Sequence, residues 1–309
     1  SPILWKRFGM HWLSAGRVQT PVLGWIIEKY EKWKKTRRLF VEYVLENGLA
    51  IRIDYEPHID RKIIKDYVKH GALILIKSSN IEELHPPPPY NTNTLLHELS
   101  TRFGMDSRYA MKILQQLFES GLITYHRTDS IRVSKHGIEI ARNYICDALK
   151  VGTLFKPRSW SSEGAHECIR PTRPVDAETL KKMVLTGTIR VHVNLTHNHY
   201  RVYDMIFRRF IASQMAKAVV EKTRLYIKIG EDVTVVEFVS KIIDEAFLKV
   251  LPIKVHEEWR NMRKGSILRI VEHRMWKGSI EKLYRQGDVI KLMKEKGIGR
   301  PSTYVKILS

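Results

Sequence analysis

Four consecutive prolines, Pro86 to Pro89 in HPPPPY, constrain this 309-residue chain more than any other feature. Proline fixes φ and has no amide hydrogen, so such a run neither extends a sheet nor enters a helix interior; it forms a stiff polyproline II connector. Ahead of it, LFVEYVLENGLAIRIDYE (Leu39 to Glu56) carries two β-rich runs about the Asn47-Gly48 turn signal, and Ala72 to Lys77 is a further apolar run. Strand patterns resume from Leu225 with YIKI, VTVVEFV and ILRIV. The prolines therefore mark the start of an insertion into a β-rich domain.

The insertion opens with helices. Thr92 or Asn93 caps a first one that stops near Gly104. Asp106 or Ser107 caps a second, with Ala110, Ile113, Leu114, Leu117 and Phe118 on one face and a stop at Gly121. An apolar strand-like segment follows, so helix, turn, helix and strand also fit a winged-helix DNA binder. Farther on, an amphipathic helix includes FRRFIASQM, Phe207 to Met215. At the chain's start Thr20 and Pro21 make a cap and first turn, placing SAGRVQ (Ser14 to Gln19) just ahead of a helix N-terminus, where amides and Arg17 suit a phosphate. The last stretch, from Ser279, is helical until Gly297.

Charge points to a polyanion. Lys and Arg number 53 against 33 Asp and Glu, a net +20. Residues 1–40 hold 9 basic and 2 acidic side chains and residues 259–309 hold 13 and 4, so the two ends carry +16 of that charge. No run approaches the roughly 18 apolar residues of a membrane span, and SPILWKRFGM lacks a signal-peptide core, which predicts a soluble, intracellular chain. It begins at Ser1, which suggests a trimmed or partial chain. Cys146 and Cys168 form no CxxC pair and read as reduced thiols. High Lys, Arg and Glu content suits a thermophile.

Three clusters bear on chemistry. In LITYHRTDS, Leu122 to Ser130, an extended backbone turns Tyr125 and Arg127 to one face. A free tyrosine is about one part in a thousand ionised at neutral pH, so a nucleophilic phenol needs a cation to stabilise its phenolate and to grip the phosphate it attacks. By themselves the two residues favour a half-buried strand tyrosine beside an arginine, because Tyr-x-Arg is common and carries almost no specificity. In AHECIRPT, His166 is followed four places on by Arg170, so the HExxH zinc pair is absent; His166, Arg170 and Arg173 instead offer donors to an anion, or His166 is structural. In KGIGRPSTY, Arg300, Ser302 and Thr303 supply donors beside two glycines, without the P-loop order; a helix-to-helix turn is the alternative.

Together LSAGRVQTPVLGWI, PPPPYNTNTLL, LFESGLITYHRTDS, AHECIRPT, FRRFIASQM and GIGRPSTY, in this order over nearly the whole chain, resemble the type IA DNA topoisomerases, most closely the topoisomerase half of reverse gyrase. The resemblance implies an α+β multidomain toroid. Residues 1–38 and 280–309 would build a helical DNA-binding domain, residues 39–88 and 217–279 a β-rich hinged arch, and residues 89–216 an inserted helical, winged-helix-like domain carrying the tyrosine. It implies that Tyr125 attacks a DNA phosphate and leaves a 5′-phosphotyrosine, with Arg127 as phosphate partner and His166 as an active-site donor. It also implies that Ser14, Gly16, Arg17, Gln19, Arg170, Arg300, Ser302 and Thr303 line a single-strand groove.

In that family Mg²⁺ belongs to a Toprim domain with an acidic DxD site, and in reverse gyrase ATP belongs to a helicase-like half. These 309 residues contain no DxD and no P-loop. The expected partners are single-stranded and underwound DNA and a Toprim- and helicase-bearing segment or subunit, with no metal or nucleotide held by this chain alone and a nucleoid-associated, cytoplasmic location. The non-enzymatic alternative is a single-strand or winged-helix DNA-binding protein derived from that fold. An RNA binder would need stacking motifs such as an RNP pair, which are absent from the sequence.

Overall fold

The computed structural model describes residues 6, 7, 9, 16, 18–161, 166–300, 303, 304 and 307. The chain divides into two compact units, one of residues 32–86 and 215–282, the other of residues 1–31, 87–214 and 283–309. The ends and the proline-bounded insertion, expected as separate domains, thus belong to one unit.

The first unit is built from strands. β1 (Arg37–Leu45) alternates buried and accessible residues along its length, and it pairs antiparallel with β2 (Ala50–Tyr55) across the Asn47-Gly48 turn, where Gly48 has φ +79°. β3 (Ala72–Leu84), β4 (Ala218–Ile229), β5 (Asp232–Asp244), β6 (Ile267–Leu268) and β7 (Ile270–Ser279) complete sheets of order β2-β1-β7 and β5-β4-β3-β6. Val41, Tyr43, Ile51, Ile53, Ile74, Leu225 and Ile227 from both sheets close into one core, each large side chain contributing about 1.5–3 kcal/mol by burial. α2 (Arg61–His70) covers it through Ile64, between an Asp60 cap and Gly71 at φ +76°. β3 runs beyond the expected Lys77 to Leu84, opposite Ala218, so β3 leads straight to the prolines.

The second unit is helical. α1 (Gln19–Lys35), whose residues from Lys32 on count with the first unit, begins one residue before Thr20, so Thr20 lies inside the helix. α3 (Thr92–Phe103) is capped by Asn91, whose side chain accepts the Thr94 amide while Thr94 accepts that of Asn91; α4 (Ser107–Glu119) is capped by Asp106. Each cap contributes about 1 kcal/mol. Ala110, Ile113, Leu114 and Leu117 bury the expected α4 face. α5 (Lys135–Asn143), α6 (Ala177–Leu185) and α7 (His197–Ser213) follow, α7 ending before Met215. β7 occupies residues up to Ser279, so the last helix, α8 (Gln286–Glu295), starts later than expected; it packs on α3.

The strand expected after Gly121 reduces to a single bridge between Ile123 and Pro171. The amides of Thr124 and Thr172 donate to the carbonyls of Arg170 and Leu122 to make that bridge, and beyond it the Thr124 hydroxyl, not a further strand pair, takes up the Cys168 carbonyl. Among the described residues the segment after α4 is a loop held by that bridge and not a strand pair. None of the described helices is long and apolar enough to cross a membrane.

Candidate active site

Three sequence blocks clasp one loop. The Thr92 hydroxyl, at the first turn of α3, sits 2.7 and 2.9 Å from the carbonyls of His126 and Thr128 and accepts the Thr128 amide. Asn91 donates to the Asp129 carbonyl at 3.0 Å, and the Cys168 amide donates to Arg132. The PPYNTNT segment and the AHECIRPT segment are themselves joined through the Ile169 amide and the Tyr90 carbonyl.

This frame enforces alternation without a sheet. Tyr125 and Arg127 are exposed, whereas His126 and Thr128 are buried. The Tyr125 ring, 40% accessible, is held edge-on by Phe118 at 5.4 Å and lies 5.9 Å from the exposed His166 ring. Arg127 has no acidic partner among the described residues, leaving its guanidinium available to a phosphate. The structure thus brings the Tyr125 and His166 rings together, with Arg127 exposed two residues after Tyr125 in the same loop.

His126 is wholly buried beneath that loop, and neither ring nitrogen has a hydrogen-bond partner. Burial, reinforced by the Arg127 cation, pushes its pKa down to about 4. An imidazole in the unfolded chain titrates near 6.5, so as pH falls from about 6.5 to 4 the unfolded state takes up a proton first and stability drops, by up to about 3 kcal/mol. His126→Leu should flatten the acid limb of a pH–stability curve by that amount. An unchanged limb would mean that His126 is not held neutral in the native state.

Arg170 departs from expectation. It is 3% exposed; its Nε and one terminal nitrogen grip both Glu167 oxygens at 2.8 and 2.9 Å, and the other donates to the Pro171 carbonyl. A Cβ on Gly137 would come within 2.8 Å of its Nε, so the α5 backbone closes over it. With every nitrogen taken, it braces the His166 segment and has no face to offer a phosphate. Glu167 also accepts the Ser134 amide; burial tends to raise its pKa, but the bonds from Arg170 and Ser134 outweigh that and hold it below the ordinary carboxylate value.

The remaining groove candidates lie toward both ends. Ser14, Arg17 and Ser302 fall outside the described residues. Gln19 is exposed at the first turn of α1, its side chain folded over Gly16. Arg300 is exposed, while the Thr303 hydroxyl caps the Arg300 amide. Gly299, at φ +82°, makes the tight turn that lets Tyr304 bury beside Asn93, close to the charges of Asp129 and Arg300. The C-terminal motif therefore reaches the loop that carries Tyr125. Lys29 over Tyr284 and Lys296 over Trp25 bring the basic ends together.

Among the described residues no three His, Cys, Asp or Glu side chains converge to hold a metal, and Glu167, beside His166 in the chain, is committed to Arg170. Cys168 is buried and its thiol is pushed up to about 12 by burial, so it is no nucleophile.

Comparison with known proteins accords with this geometry. The family model described as DNA topoisomerase matches residues 1–309. A reverse gyrase of Aeropyrum pernix is 43% identical over 98% of this chain but 24% of its own length; one of Pyrococcus furiosus is 43% identical over 99% and 24%. The chain thus spans about a quarter of the curated relatives it matches. The full-length topoisomerase I of Thermotoga maritima superposes with a TM-score of 0.70 at 28% identity, covering 100% of this chain and 52% of that one. Fold, motif order and similarity agree: the chain belongs to the DNA topoisomerase family, has the type IA topoisomerase fold, and corresponds to part of a reverse gyrase-like enzyme.

Proposed function

We propose that this chain supplies the strand-cleaving tyrosine of a type IA topoisomerase of the reverse gyrase kind. The observation that supports this is the accessible Tyr125 ring on a pinned loop, 5.9 Å from the His166 ring, with Arg127 exposed two residues on. The phenol oxygen attacks a backbone phosphate of one strand. A phosphorus–oxygen bond to Tyr125 forms, that to the 3′-oxygen breaks, the phenol proton is lost, and the leaving oxygen takes a proton to become a 3′-hydroxyl. Arg127 holds the phosphate, and His166 donates to one of its non-bridging oxygens. The new diester preserves the bond energy, so resealing is the reverse attack.

The substrate is single-stranded or underwound DNA. Magnesium and the acid that assists the leaving group belong to a Toprim segment, and ATP to a helicase-like segment, outside these 309 residues. The chain alone binds single strands and relaxes nothing, and it works at the nucleoid in the cytoplasm. Mixed with a Toprim-bearing partner and denatured, it should yield a DNA adduct.

Phosphate contacts at the basic ends make binding steeply salt-dependent. Arg300→Ala should weaken single-strand binding and reduce the slope of log affinity against log salt by about one. An unchanged slope would move the strand off the C-terminal motif.

A further inference from the structure

Between α3 and α8 lies a cleft of about 620 Å³, the size of a small-ligand site, lined by none of Tyr125, Arg127 or His166. Cations reach it from three helices: Arg102 from α3, Arg209 from α7, Lys291 and Lys294 from α8. Glu98 and Glu295 also line it, for a formal balance of +2. The floor is fixed: Glu98 lies 2.9 Å from Arg102 and 3.6 Å from Arg209, and Arg209 also donates to the Pro88 carbonyl over the Tyr90 ring. The α8 wall is less neutralised, since Glu295 reaches Lys291 only at 4.0 Å and Lys294 has no acidic partner among the described residues. A concave wall focuses that positive potential more than a solvated helix face would.

The same two helices interlock beside the cleft. His97 lies 3.2 Å from Asp288, Arg285 donates to the Thr101 carbonyl at 2.8 Å, and a Cβ on Gly287 would sit 2.7 Å from the His97 Cα. The cleft exists only while α3 and α8 are together, and an anion bridging Arg102 to Lys294 would favour that state.

We infer that this cleft is a second phosphate site, separate from the cleavage centre, which takes a backbone phosphodiester of a single strand and clamps α8 to α3. The choice of phosphodiester rests on the proposed function; the anion site itself does not, and no cleavage is read in its test.

Hydrogen exchange of α3 and α8 peptides, followed with inorganic phosphate, a thymidine dinucleotide and an oligothymidylate, separates the sources. Protection of both helices should rise with the two nucleic acids at concentrations where inorganic phosphate has no effect. Arg102→Ala with Lys294→Ala should weaken that response about tenfold and lower the salt slope by about two, while Lys294→Arg retains it and Lys181→Ala on α6 leaves it unchanged. Gly287→Ala, which wedges the interlock, should abolish the coupled protection. Equal protection by inorganic phosphate would overturn the phosphodiester assignment. An unaltered response in the double variant, or an equal loss in Lys181→Ala, would overturn the site.

Discussion

Tyr125→Phe is expected to remove every trace of covalent DNA adduct while leaving the fold and single-strand binding intact. The substitution deletes one oxygen from a ring that is 40% accessible and keeps its edge contact with Phe118, so little packing is lost. Adduct formation should drop by roughly a thousandfold or more, because no other side chain can replace a missing nucleophile. The measurement is a denaturing gel of labelled single strands incubated with chain and Toprim-bearing partner. Persistent adduct in the variant would place the nucleophile elsewhere.

Glu167→Ala should have the largest effect on stability. It leaves the Arg170 guanidinium, 4% accessible at its side chain, without its paired carboxylate, and removing one member of such a pair costs about 3 kcal/mol. Thermal or denaturant unfolding reads the loss directly. Because the folded-state pKa of Glu167 is depressed, the pair's contribution is complete above the ordinary carboxylate value and fades as pH falls below it. The outcome also separates two roles for Arg170. A bracing arginine predicts lower stability with a displaced His166 segment; a DNA ligand released from its partner would instead bind single strands more tightly at unchanged stability.

Much of the frame was legible because local chemistry and tertiary structure agree. The Asn47-Gly48 turn and the Asp106 cap are used as expected, and the division between the two units falls within the proline run. α2 had a signal that could have been read: Ile63, Ile64, Tyr67 and Val68 at helical spacing between Asp60 and Gly71. Tyr125 and Arg127 are both exposed and His126 and Thr128 buried, and a hydroxyl from Thr92, 33 residues upstream of Tyr125, holds the loop in place of strand pairing. That contact is long-range, and no local pattern encodes it. Nor does the pattern announce the burial of His126, which leaves two ring nitrogens without partners.

Arg170 shows the limit from the other direction. Three places from Glu167, it carried its own partner in the sequence, yet beside His166 and Arg173 it read as one donor among several. Only burial decides between a brace and a ligand, and burial comes from α5 closing over the side chain at Gly137.

The most direct test of the account is the identity and polarity of the protein–DNA bond. A single strand labelled at one end is cleaved by this chain with a Toprim-bearing partner, digested with protease, and the adduct peptide is mapped by mass spectrometry. The expected result is a phosphotyrosine at Tyr125, with the protein on the fragment that retains the strand's original 3′ end. Attachment at any other residue, or to the fragment that retains the original 5′ end, would contradict it.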